Sequence, residues 1–134
     1  MELPFEAARM LPEIIAGPRK ELGLRLARFF IGILESDEGR QRMTGMVRAA
    51  ASEPEAAQLL RKLLSEQLFA PLVAELGMPD AELRANLIGS QMAGLVMARY
   101  VVAVEPLASL GSAELISWVG PTLQRYLTAS APIT

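Results

Sequence analysis

Apolar residues recur at spacings of three and four along the whole chain, and no stretch of useful length alternates apolar with polar side chains. Spacings of three and four line up side chains on one face of an α-helix, whereas a half-buried strand needs strict alternation. A chain that carries only the helical period can bury its apolar faces only by packing helix on helix. The sequence therefore predicts an all-α fold, a single domain over residues 1–134 with about five main helices.

Breakers divide the chain. An opening helix over 5–15 ends at Gly17-Pro18. A second over 19–35 carries Leu22, Leu26, Phe29, Phe30 and Ile33 on one stripe. Ser36-Asp37-Glu38-Gly39 separates it from a shorter helix over 40–51, whose inward residues are Met43, Met46 and Val47. Ser52 reads as the N-cap of the next helix, with Glu55 three residues on as a capping box requires. That helix bears Leu59, Leu60, Leu63, Leu64, Leu68, Leu72, Val73 and Leu76 and stops at Gly77, and Pro71 inside it predicts a kink. Pro79-Asp80 opens a long helix to about Val104, closed by Glu105-Pro106. Ser112 is expected to cap a last helix over 113–127, and 128–134 to fray.

Composition removes most chemistry. The chain has no cysteine and no histidine, so disulfides, zinc fingers, thiol nucleophiles and histidine bases are excluded. Ser65, Ser90 and Ser117 have no base to activate them, and Glu53 with Glu55 and Asp80 with Glu82 sit in first helical turns, where they face the helix dipole. No enzyme, metal or cofactor is expected. The segment from Gly89 to Gly94 lacks the Gly-Lys-Ser/Thr of a phosphate loop. A net charge of −2 and a pI near 5.2 argue against a nucleic-acid surface on these residues. The longest uncharged stretch, 85–98, falls short of the ~20 residues of a membrane span. The first eleven residues lack the pattern of a signal peptide, and a cytoplasmic protein with no membrane partner is expected.

What remains suits binding. A hydrophobic content of 51% with mean hydropathy +0.29 calls for a partner surface, a large apolar pocket, or both. The 79–104 helix is apolar all round, with bulky Ile88, Met92 and Leu95 beside a stripe of small Ala85, Gly89 and Ala93. Leu83, Leu87, Gly94 and Val101 fill its opposite face. The small stripe is expected to admit a second subunit, so that the last two helices of each copy form a four-helix dimer interface. Its expected members are Ala85, Gly89, Ala93, Tyr100, Ile116, Val119 and Leu123. The competing reading puts both helices at the centre of a monomer.

A small apolar effector is expected among residues rich in Phe and Met, which suit an adaptable cavity. These are Phe29, Phe30, Ile33, Met43, Met46 and Leu64, continuing with Leu68, Phe69, Met92, Leu95 and Val96. An ordinary packed core is the plainer account of each. Asn86, Ser90, Gln91 and Arg99 are costly if buried unpaired, and Gln91 and Arg99 join the ligand-binding set. Arg99 either meets an acid or phenol of the ligand or pairs with a carboxylate such as Glu105 or one across the dimer.

An ordered series of short motifs then carries a resemblance. It includes Leu3-Pro4-Phe5, Leu11-Pro12, Gly17-Pro18 and Leu22-Gly23, followed by Asp80-Ala81-Glu82-Leu83-Arg84-Ala85 and Gly89-Ser90-Gln91. It continues with Ala98-Arg99-Tyr100-Val101, Glu105-Pro106-Leu107-Ala108-Ser109-Leu110 and Val119-Gly120-Pro121-Thr122-Leu123-Gln124-Arg125-Tyr126-Leu127. From Leu3 to Leu127 the chain resembles the C-terminal regulatory domain of TetR-family transcriptional repressors, especially the actinobacterial type. That resemblance implies an all-helical domain that dimerises through its last two long helices, holds a small molecule between the others, and so releases operator DNA. The helix-turn-helix of that family is not among these residues, so DNA contact is expected only through such an N-terminal domain. A helical dimerisation or protein-interaction module with no small-molecule site is the alternative.

Overall fold

The computed structural model describes residues 7–132, and the side chains of all of these except 7–10, 64, 65 and 68. The expected helix start at Phe5 and the last two tail residues lie outside the described residues. Among the described residues there is no strand. Helix α1 (Ala7–Ile15) is followed by a 3₁₀ turn (Arg19–Glu21) that feeds α2 (Leu22–Glu35), then α3 (Asp37–Ser52) and α4 (Pro54–Arg61). A π-helical stretch (Lys62–Phe69) joins α4 to α5 (Ala70–Glu75). Helix α6 (Ala81–Val96) runs on as a π turn (Met97–Val101), and a 3₁₀ turn (Leu107–Ser109) precedes α7 (Ser112–Thr128).

The expected break at 36–39 is instead the N-cap and first turn of α3. Ser36 Oγ accepts the N–H of Gly39 at 3.0 Å, and Asp37 and Glu38 occupy the first turn, where the dipole favours acids. Ser52 is not an N-cap. It is the last residue of α3, its hydroxyl donates back to the Arg48 carbonyl, and Glu53 precedes α4 without a side-chain cap bond. Gly111, not Ser112, takes the N-cap position of α7. The disturbance expected at Pro71 takes the form of the π stretch before it. Proline offers no N–H to the Gln67 carbonyl and crowds it, and a widened turn relieves both. Gly17 and Gly77 end their helices at φ of 110° and 71°, in the region that glycine enters without strain.

The core lies where α2 meets α7, α5 and α6, and Leu34, Leu72, Val73, Ile88, Leu123 and Leu127 are 0% exposed. Helices α2 and α7 touch backbone to backbone. A Cβ on Gly23 would lie 2.3 Å from the Gly120 carbonyl oxygen and 2.4 Å from the Gln124 nitrogen. The gap that the two glycines leave admits the Gln124 amide, which bridges the helices.

Arginines hold the helix ends. Arg84, 6% exposed, donates from Nε to the Pro79 carbonyl at 2.8 Å, from Nη1 to that of Tyr126 at 2.8 Å and from Nη2 to that of Ala129 at 2.6 Å. A buried cation is tolerated there because the end of α7 presents orphan carbonyls and the negative pole of its dipole. Arg25 likewise closes α1 through the carbonyls of Ile14 (2.6 Å) and Pro18 (2.9 Å), and Arg19 donates to that of Leu76 after α5 (3.1 Å). No helix among the described residues is long and apolar enough to cross a membrane.

Candidate ligand cavity and pairing face

Four helices aim apolar side chains at one point. Phe30 comes from α2, Met43 and Val47 from α3, Leu60 from α4, and Met92, Ala93 and Val96 from α6. The space they enclose is about 10 Å³, the smallest that holds one water, and its lining has no hydrogen-bonding side chain. Met43 and Val47 meet it because they lie one turn apart on α3, as do Met92 and Val96 on α6. Phe30, Met43, Met92 and Val96 were expected in the ligand set and come together. Val47, Leu60 and Ala93 complete the lining without having been expected there, although the one-turn spacing from Met43 was a usable signal for Val47.

The other expected ligand residues are dispersed. Met46 and Phe69 are buried in the core, while Phe29, Ile33 and Leu95 are partly buried against it. The side chains of Leu64 and Leu68 lie outside the described set. Gln91 is exposed, and its Nε2 donates to the Tyr126 hydroxyl at 3.3 Å, which ties α6 to α7. Arg99 is not paired with Glu105 within the chain. It donates to the carbonyls of Leu107 (3.2 Å) and Leu110 (2.8 Å), clamping the connection between α6 and α7, while Glu105 accepts from Ser109 instead.

A second, open space of about 300 Å³ adjoins the cavity, with a floor of Ala50, Ala57 and Gly89 and a rim of Arg61, Asn86 and Ser90. Leu60 lines both spaces. A third, of about 280 Å³, lies between the start of α6 and the end of α7, at Leu83, Leu87, Arg125 and Tyr126.

The residues expected to form the dimer interface divide by burial. Ala85 and Leu123 are 0% exposed and Gly89 is buried, all within the chain itself. The small stripe therefore faces inward. Gly89 shares the open groove with Ala57 and Leu60 of α4, and Ala93 shares the cavity with Leu60, while the π-helical stretch Lys62–Phe69 packs most extensively along α6. Tyr100, Ile116 and Val119 are partly buried against the core. The large apolar side chains that do face outward are Leu83 (58% exposed) and Leu87 (37%) on α6 and Trp118 (71%) on α7, with Val102 and Val104 in the connection between them.

A bundle of this kind, with an apolar centre and arginines on the carbonyls of its helix ends, is an all-α domain. Residues 20–127 match the family described as "Tetracyclin repressor-like, C-terminal domain", and the chain belongs to that family. The match begins in the 3₁₀ turn before α2 and ends in the last turn of α7, so it takes in the cavity, the open groove and the exposed face. Members are regulator domains of a family that generally dimerises and binds small-molecule effectors and DNA. No curated protein and no solved structure matches the chain.

Proposed function

We propose that this is the effector-sensing and dimerisation domain of a cytoplasmic TetR-family transcriptional repressor. A small apolar effector takes the space between α2, α3, α4 and α6, and a second copy takes the outward faces of α6 and α7. Operator DNA is held by a helix-turn-helix domain of the regulator and released when the effector binds. The effector must favour the released state, because equal affinity for both states shifts nothing. The observation that carries this reading is the convergence of seven apolar side chains from four helices on one cavity, within a chain of this family.

At about 10 Å³ the cavity is too small for an organic molecule, so binding requires its lining to repack. Met43 and Met92 suit that task, being unbranched and free to turn about three bonds. Replacing Met92 with Trp fills the cavity. The thermal stabilisation given by a panel of small apolar compounds should vanish in that variant, with the dimer unchanged by light scattering. Undiminished stabilisation would move the site elsewhere.

The small volume of the cavity is also the specific observation that favours a second reading, a helical dimerisation or protein-interaction module with no small-molecule site. Under it, no compound of the panel raises the melting temperature of the wild-type protein. For pairing, Leu83, Leu87 and Trp118 supply the outward apolar surface on α6 and α7. A strict monomer at micromolar concentration in light scattering would end the dimer part of the proposal.

A further inference from the structure

The cavity has a charged neighbour on one side. Leu60 separates it from the open groove, and both spaces run along the same small-residue stripe of α6, at Gly89 for the groove and at Ala93 for the cavity. Together they form one path, apolar at its inner end and polar at its mouth. The mouth carries the guanidinium of Arg61, and no carboxylate lines the groove. Among the described residues Arg61 makes no ion pair and no side-chain hydrogen bond, in contrast to Arg19, Arg25, Arg84 and Arg99, which are engaged with carbonyls.

We infer that the groove and the cavity are one site for a small amphipathic carboxylic acid. Its tail passes Leu60 into the space bounded by Phe30, Met43 and Met92, and its carboxylate stays in the groove against Arg61. This rests on the effector reading above and adds the chemical class of the effector. A planar guanidinium presents paired donors that match a carboxylate, and Arg61 offers them at the exposed mouth of the groove. The inner end offers no hydrogen-bonding side chain, so it accepts hydrocarbon only. The groove, at about 300 Å³, lies at the lower end of the size range of small-molecule sites. The π-helical stretch that begins just after Arg61 gives α4 a break in its regular bonding beside Leu60, the side chain that has to move.

Calorimetric titration with three probes of equal tail length, octanoate, octanol and octylammonium, tests the inference. Octanoate should bind the wild-type protein most tightly. Arg61→Ala should weaken octanoate about tenfold and leave octanol unchanged. Arg61→Glu should reverse the preference, so that octylammonium binds better than octanoate, a result that a merely structural role for Arg61 does not produce. Leu60→Trp should abolish binding of octanoate and octanol without lowering the melting temperature of the unliganded protein. Unchanged octanoate affinity in Arg61→Ala overturns the inference. Octanol binding as tight as octanoate, and lost in Met92→Trp, also overturns the acid head while leaving the cavity reading in place. Binding of none of the three overturns the inference, whereas the cavity reading falls only if the wider apolar panel fails too.

Discussion

The backbone N–H of Gly23 donates to Oε1 of Gln124 at 2.7 Å, closing a loop of 101 residues between the first turn of α2 and the last turns of α7. The first N–H groups of a helix have no partner within it, and here a side chain from a distant helix supplies one. The same amide donates to the Arg19 carbonyl at 3.0 Å. Gly23→Ala should destabilise the domain by about 3 kcal/mol, because its Cβ meets backbone that cannot step aside. Gln124→Leu, which keeps the bulk and removes the acceptor, should cost about 1–3 kcal/mol. Urea denaturation measures both, and a neutral Gly23→Ala would contradict the close crossing.

Arg84 makes its three carbonyl contacts from three different nitrogens. A lysine ammonium is a point donor and cannot span them. Arg84→Lys should therefore lose about 2–3 kcal/mol, nearly as much as Arg84→Met. Hydrogen exchange should speed up selectively in the last turn of α7. Full stability in the lysine variant would show that charge at the helix end, rather than the fork of donors, is what matters.

Met92 is 1% exposed and borders the small apolar cavity. Met92→Ala should cost about 2–5 kcal/mol and leave a dry, apolar void. Such a void takes up benzene, so saturating benzene should raise the melting temperature of the variant and not that of the wild type. A variant that neither loses stability nor responds would mean that the four helices collapse onto the space.

Trp118 is the single tryptophan and is 71% exposed, so its fluorescence reports on whatever covers α7. If a second copy covers this face, the emission should move to shorter wavelength as concentration rises through the dimerisation range. Trp118→Ser should then weaken pairing by about 2 kcal/mol, roughly thirtyfold. Emission that stays constant while light scattering reports a dimer would place the interface away from Trp118.

The helical fold was legible because period and breakers are local. Leu22, Leu26 and Phe30 repeat every four residues and share the inner face of α2, and Gly17 and Gly77 stop their helices as expected. The ends were harder. Ser52 and Glu55 satisfy the capping pattern, yet Ser52 is already the last residue of the helix before it. The stripe Ala85, Gly89 and Ala93 reads as a place for a second subunit, but periodicity tells which residues share a face and not which chain covers it. Here Ala85 and Gly89 are already buried within their own chain. The arginine clamps were invisible for a related reason. Their acceptors are backbone carbonyls, which every residue has and no sequence marks.

Helix α2 has two engagements on one rod. Phe30 is part of the cavity wall, and seven residues earlier, about 10 Å along the axis, Gly23 is locked against Gly120 and Gln124. A regular helix transmits a tilt along its length far more readily than it bends. A molecule that displaced Phe30 would load α2 as a lever, and the load it would move is α7 with its outward Trp118. In this domain the shortest mechanical route from the apolar centre to the surface on which a second copy would sit runs through a pair of glycines rather than through any charged or titratable group.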